Sequence, residues 1–218
     1  MTNLQLIGAV IFIIALSIFA IMKRKQIDFQ KWPKIRVPIF YTAMYRTTAG
    51  LKVMDWIANL SPRFWRITGT VGIWVGFICM LFISGYLIYA FIKAIMDVFS
   101  TSIPTAISGG VTLVLPFKIK GTFYVPFFYW VISIFVIAVI HELAHGIIAR
   151  AYNMKIKSSG LALAGIVVPI VPAAFVEPDE KEVNRRPKKE QMAVFAAGSF
   201  ANILLSAFIL IVLMPLMN

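Results

Sequence analysis

Residues 136–150 read VIAVIHELAHGIIAR, an apolar run that carries three polar side chains, His141, Glu142 and His145. His141 and His145 are the only two histidines of the chain. An ionisable side chain within a membrane-spanning helix costs about 2.5–3.5 kcal/mol on insertion scales, so its presence there indicates a function. The stretch therefore raises two questions: whether the run crosses a bilayer, and which chemistry needs these groups.

The composition of the chain is typical of a multi-pass membrane protein. Of its 218 residues, 60% are hydrophobic, which is more than a soluble core of this size can bury. The net charge of +12 comes mainly from two clusters, with ten Lys or Arg at residues 23–66 and seven at residues 155–189. Basic clusters between apolar runs are typical of cytoplasmic loops. Because no base-reading module accompanies them, we expect no nucleic-acid partner.

Four apolar segments are long enough to cross a bilayer as helices, which requires about 20 residues. They lie at residues 4–22, 69–94, 123–149 and 191–216. The connection at residues 99–122 carries only two Lys, so the charge distribution predicts that the N-terminus lies outside and that both basic connections are cytoplasmic. We expect a mainly α-helical protein of the cell membrane that forms one domain over residues 1–218.

The connections between the spans are predicted to stay close to the membrane. Residues 23–66 mix aromatic and basic side chains, which suits a loop in the headgroup region. Residues 99–122 alternate apolar and small or polar residues between Gly and Pro, and we predict a hairpin that dips into the outer face. Residues 159–176 are apolar but contain Pro169 and Pro172, which disfavour a helix. This region is predicted to form short membrane-associated strands, as a hairpin against the helices.

The HExxH spacing at residues 141–145 is that of a zinc site on a helix. Two histidines at i and i+4 lie on one face, where both rings can bind one metal ion. Glu142 lies roughly 100° round the helix, within reach of a metal-bound water without being a ligand. Zinc lowers the pKa of that water toward about 7, and a neighbouring carboxylate can take its proton. We expect His141 and His145 as metal ligands, Glu142 as general base and the zinc-bound water as nucleophile.

The order of the motifs resembles the site-2 protease family of intramembrane zinc metalloproteases. The resemblance covers roughly residues 120–215 and rests on four features in order. They are HELAHG toward the cytoplasmic end of a spanning helix, an apolar strand region, the acidic turn FVEPDE, and AAGSFANILLSA. Gly198 and Asn202 match the family's small residue and Asn, although Ser199 stands where the family commonly has Pro. The resemblance implies cleavage within a transmembrane segment of a membrane-protein substrate that pairs with the strand region. It also implies that Gly198 and Asn202 support the site.

The chain departs from this family at the third zinc ligand. A catalytic zinc normally has three protein ligands plus water. In the family the third ligand is an Asp in a Leu-Asp-Gly-like motif on a later helix, and the chain contains no such motif. We therefore expect the front part of a longer, prokaryotic member of the family, which by itself would bind zinc weakly or not at all and would be inactive. The oligomeric state stays open.

Two alternatives to an intramembrane zinc endopeptidase of regulated proteolysis stay open. A prenyl-protein-type membrane metalloprotease also uses HExxH but takes its third ligand from a Glu on a later helix. Glu190 is the only helical Glu after the motif that the sequence provides. A non-catalytic, protease-like protein that binds membrane helices without cutting them would explain the missing Asp.

Overall fold

A computed structural model describes residues 3–22, 27–31, 40–99, 113–119, 122–166 and 168–217. The elements in chain order are α1 (Asn3–Met22), β1 (Ile27–Lys31), β2 (Phe40–Thr47), α2 (Ala49–Leu60), α3 (Pro62–Phe99), β3 (Val114–Leu115), β4 (Phe123–Tyr124), α4 (Phe127–Ala151), β5 (Ile156–Ile166), β6 (Val168–Pro178), α5 (Glu180–Arg185), α6 (Lys188–Phe208), a π-helical turn (Ile209–Leu213) and α7 (Met214–Met217). Helices therefore dominate the described part of the chain, as predicted.

Three helical stretches are long and apolar enough to cross a membrane: Pro62–Met96, Phe127–Ala151 and Lys188–Leu216. They contain most of the last three predicted spans, and the chain is a membrane protein. Large apolar side chains of α3 point outward, such as Leu81 at 68% exposed and Phe82 at 75%, and they need a lipid environment. The predicted first span forms α1, but its apolar stretch Ile7–Phe19 is shorter. A fourth span therefore stays a prediction.

A four-stranded antiparallel sheet in the order β1-β2-β5-β6 packs against α4 through β6. The predicted strand region at residues 159–176 falls within β5 and β6, whose membrane association stays a prediction. β1 and β2 lie inside the predicted interfacial loop at residues 23–66. Sequence patterning missed these two strands because the partner of β2 is β5, more than a hundred residues further along the chain.

The hairpin predicted at residues 99–122 lies largely outside the described residues. Where the structure describes this region, β3 and β4 pair in parallel, with Val114 opposite Phe123. Trp130 at the start of α4 donates its indole N–H to the carbonyl of Val114 at 3.0 Å. The described part therefore forms a parallel pairing held to α4, in place of an antiparallel hairpin.

The helix α4, which carries the HExxH motif, ends in a left-handed residue. Asn153 has a φ of 56°, a conformation that Asn adopts more readily than most other residues. The N–H of Met154 returns to the carbonyl of Ala149 at 2.9 Å, which satisfies an open carbonyl of the last turn. In the same turn Arg150 pairs with Asp55 of α2 at 2.9 Å. These contacts fix the end of α4 at Ala151, nearly two turns beyond His145.

A polar network at the turn between β6 and α6 fixes where α6 begins. Asp179 caps α5 by accepting a backbone N–H of its first turn at 3.0 Å. Glu182 accepts from Arg186 at 3.0 Å and from the N–H of Lys155 at 3.2 Å, and the hydrogen bond from Arg186 lowers the pKa of its carboxyl. The buried Gln191 donates to the carbonyl of Arg186 at 2.7 Å. The first turns of α6 are thereby tied to the end of the hairpin.

Small residues allow the helices to approach closely. Ala149 of α4 and Ala193 of α6 are fully buried, and a Cβ added to Gly69 of α3 would lie 3.2 Å from that of Ala193. Between α2 and α4, Met54 is only 2% exposed and occupies the space beside Gly146. A Cβ on Gly146 would collide with the Met54 sulfur, so this glycine determines how closely α2 packs on α4.

We expect Gly146→Ala to destabilise the protein by about 1–3 kcal/mol, because the buried Met54 side chain must leave its position. Thermal unfolding in detergent measures the effect. Gly76→Ala on α3 is the matched control, since a Cβ there meets no atom within 4 Å. Equal unfolding midpoints for the two variants would contradict this account of the α2–α4 contact.

Candidate metal centre

The helix α4 presents His141 and His145 side by side, as their spacing predicts. The ring centroids are 4.8 Å apart, and the planes meet edge to face at 74°. Both side chains are only partly buried, and both face α6, which packs against α4. Because α6 carries Gly198 and Asn202, the structure brings four of the five predicted site residues together.

Each imidazole contacts α6 through its Nδ1 atom. The Nδ1 of His145 lies 2.6 Å from the carbonyl oxygen of Val194. Since a carbonyl oxygen can only accept, this ring carries its proton on Nδ1 and keeps a lone pair on Nε2. The Nδ1 of His141 lies 3.0 Å from the side-chain amide of Asn202. Fixing one ring nitrogen so that the other is free is the usual arrangement of metal-binding histidines.

One atom of the Asn202 side-chain amide has no hydrogen-bond partner. Its nitrogen faces His141 Nδ1, while its Oδ1 is buried without a hydrogen-bond partner. Turning the amide by 180° exchanges the two atoms at little steric cost and lets Oδ1 accept the Nδ1–H of His141. In that orientation both histidines carry the proton on Nδ1, and each Nε2 keeps its lone pair.

Gly198 allows both imidazole rings to lie against α6. A Cβ at this position would collide with Nε2 of His141 and with Nε2 of His145. The two Nε2 atoms therefore come together at the surface of α6 beside Gly198. Only glycine allows both rings to lie this close to α6, and a pair of neighbouring imidazole nitrogens is a donor set that suits zinc.

Glu142 lies on a neighbouring face of α4, against the sheet. Its Oε2 accepts the backbone N–H of Val176 in β6 at 2.9 Å. The carboxylate also lines a cavity of about 190 Å³, which is walled mainly by apolar side chains, among them Met54, Leu143 and Phe175. The predicted base is thus half-buried and bonded to β6 in this structure.

Two histidines are fewer than the three protein ligands that a catalytic zinc normally has. Among the residues that the structure describes, no group of three or more His, Cys, Asp or Glu could hold a metal ion. Glu190, the ligand that the prenyl-protein-type alternative requires, pairs with Arg186 at 3.8 Å. The histidine pair suits zinc by its chemistry, and no third ligand joins it among the described residues.

Sequence reasoning missed the backbone groups of this site. The carbonyl of Val194 contacts His145, and the N–H of Val176 contacts Glu142. Both are backbone groups that almost any residue supplies, so the side chains at 194 and 176 do not reveal them. A signal for Val194 did exist in the spacing, because residues 194, 198 and 202 lie on one face of a helix. No comparable signal was available for Val176, whose position depends on the packing of the sheet.

We predict that Asn202→Ala changes the proton position on His141 and leaves His145 unaffected. Protein labelled with ¹⁵N in histidine contains only these two rings, so NMR of the metal-free protein at alkaline pH reports both tautomers. Without the amide, His141 becomes a mixture of tautomers, while the carbonyl of Val194 keeps the proton of His145 on Nδ1. The exposed Ser199 is the control, and Ser199→Ala should alter neither ring. A shift of both rings, or of neither, in Asn202→Ala would contradict the assignment.

Comparison with known proteins agrees with this geometry. Residues 129–217, which contain the histidine pair, Gly198 and Asn202, match peptidase family M50. The chain is 27% identical over 160 residues to an uncharacterised protein of Methanocaldococcus jannaschii, in an alignment that covers 73% of this chain and 40% of that relative. No solved structure matches the chain. The match over residues 129–217 confirms the resemblance to site-2 proteases, because peptidase family M50 is a family of zinc-dependent intramembrane metalloproteases.

Proposed function

We propose that this chain forms the catalytic part of an intramembrane zinc endopeptidase. It would cleave a peptide bond within a transmembrane segment of a membrane protein, as in regulated intramembrane proteolysis. The observation that carries the proposal is the convergence of two imidazole Nε2 atoms on Gly198, inside a helix long enough to span a membrane. Ionisable groups held in this way at membrane depth are costly, and function accounts for them.

His141 and His145 would hold the metal through Nε2. The third ligand lies outside the described residues, and the resemblance to site-2 proteases implies an Asp on a later helix. Zinc bound there would polarise a substrate carbonyl and lower the pKa of a bound water. Val194 and Asn202 would keep the two rings oriented, because each contacts the Nδ1 that faces away from the metal.

Glu142 would act as the general base. It follows His141 directly in α4, so its carboxylate lies on a neighbouring helix face and can turn toward the reacting groups. The carboxylate would take a proton from the attacking water at one oxygen and later return it to the leaving nitrogen. For this role the hydrogen bond between the Glu142 carboxylate and the N–H of Val176 must break.

The substrate would pair with β6 as an extended strand. A transmembrane helix hides its carbonyls in hydrogen bonds, whereas strand addition to a sheet edge exposes an extended backbone. The contact between Glu142 and Val176 supports this proposal, because it places the edge of β6 within reach of the base. The basic residues at 23–66 and 155–189 support an orientation with the N-terminus outside and the site toward the cytoplasm.

The two alternatives receive less support from the structure. Glu190, the residue that the prenyl-protein-type interpretation would use as a ligand, lies at the start of α6 in an ion pair with Arg186. A non-catalytic helix-binding protein would need neither two neighbouring ring nitrogens nor a glycine at position 198 to bring them together. Measured cleavage decides between this alternative and the endopeptidase.

We expect Glu142→Gln to lower cleavage of a single-pass membrane substrate by at least about 100-fold, because glutamine cannot accept the proton. The assay uses the full-length gene product in proteoliposomes, and mass spectrometry identifies the cut site. Zinc content, measured by elemental analysis, should persist in Glu142→Gln and fall in His141→Ala.

Glu177→Gln is the matched control for the loss of a carboxylate. Glu177 lies one residue from Val176, on the same strand, and bonds Ser158 at 2.7 Å. Its replacement should leave cleavage and zinc content close to those of the unmodified protein. Cleavage retained by Glu142→Gln would refute the proposed mechanism, and absence of cleavage by the unmodified protein would favour the non-catalytic alternative.

A further inference from the structure

The outer edge of β6 faces α4. β6 is the last strand in the order β1-β2-β5-β6, and within the described ranges no other strand pairs with its outer side. Val176 stands opposite Ser159 of β5, yet its N–H donates to Glu142. Since the N–H and C=O of one strand residue point the same way, both backbone groups of Val176 face outward from the sheet.

Alternate residues of β6 share this outward direction. Ala174 and Pro172 stand opposite Leu161 and Leu163, two and four positions before Val176. Hydrogen-bonded and non-hydrogen-bonded pairs alternate along an antiparallel ladder, so the backbone groups of Ala174 and Pro172 face the same edge. Pro172 has no N–H to donate, and prolines are tolerated at such edges for this reason. An arriving strand would therefore find donors at Ala174 and Val176.

Glu142 already accepts the hydrogen bond from the second of these donors, the N–H of Val176. A half-buried carboxylate at membrane depth needs a hydrogen-bond donor, and the N–H of Val176 supplies one at 2.9 Å. The remaining wall of the cavity beside Glu142 is almost wholly apolar. A strand that pairs with β6 at Val176 needs the same N–H for its own carbonyl.

We propose that Glu142 and the substrate strand compete for the N–H of Val176, so that strand pairing itself releases the base. This inference rests on the proposed proteolytic function and adds a form of regulation to the same site. Without a paired strand, the carboxylate is bonded to β6. A segment that pairs with β6 displaces Glu142, which is then free to accept a proton beside the histidines. A segment that stays helical leaves the base bonded to the sheet.

Binding without cleavage tests the competition. The full-length protein in detergent is stripped of metal with EDTA, and its affinity for a fluorescein-labelled decapeptide of alternating Val and Thr is measured by fluorescence anisotropy. Glu142→Ala should bind this peptide about tenfold more tightly than the unmodified protein, the effect of one hydrogen bond to a charged group that no longer has to break. Glu142→Gln keeps an acceptor oxygen and should bind nearly as the unmodified protein does.

Two further variants separate the competition from a change in cavity size. Val139→Ala enlarges the same cavity without removing an acceptor, so its affinity should equal that of the unmodified protein. Adding Val176→Pro to Glu142→Ala removes the donor, and the tenfold gain should disappear. Hydrogen exchange at the amide of Val176 is an independent measurement, which does not need the proline variant to fold. Exchange should be faster in Glu142→Ala than in the unmodified protein, and the peptide should slow it again.

The outcomes distinguish this inference from the proposed function. Equal peptide affinity in the unmodified protein and Glu142→Ala would overturn the competition, even if cleavage depends on Glu142. A gain that persists in the double variant, or one matched by Val139→Ala, would also overturn it. Cleavage that survives Glu142→Gln would remove the proteolytic mechanism, whatever the peptide affinities show.

Discussion

The close contact between α4 and α6 at Gly198 is the constraint on which the site depends. Two imidazole nitrogens occupy the space that a side chain at this position would fill, and the flanking turns of α6 hold the opposite nitrogens of the same rings. The approach is possible because the neighbouring contact residues are also small, with Ala193 fully buried. The helix that orients the histidines through Nδ1 is therefore the same helix against which their Nε2 atoms come together.

The side chains of the site could be predicted from the sequence to a large extent. HExxH fixes the relative positions of His141 and His145 through helix geometry alone, and the later Gly and Asn share a helix face with one another. The contact between this face of α6 and the histidines was expected from the resemblance to a family. The spacing of the residues alone does not predict it. The backbone partners were not predictable, because any residue supplies a carbonyl or an N–H, and only tertiary packing decides which one lies in reach.

The fold was predictable where local patterning controls it. Long apolar runs predicted four spans, of which three correspond to helices long and apolar enough to cross a membrane. The prolines at 169 and 172 correctly argued against a helix there. The strands at residues 27–31 and 40–47 lay within a segment whose aromatic and basic residues indicated only the membrane interface. Pairing between β2 and β5 joins distant parts of the chain, and no local periodicity encodes it.

Pro172 affects how readily two copies of the protein can associate through β6. An open strand edge is a template for association with any extended chain, including a second molecule. Along β6 the proline removes one donor and Glu142 covers another, so that successive outward positions cannot all pair with a neighbour. The edge is thereby protected from continuous edge-to-edge stacking, and a short segment finds only a limited register in which to pair.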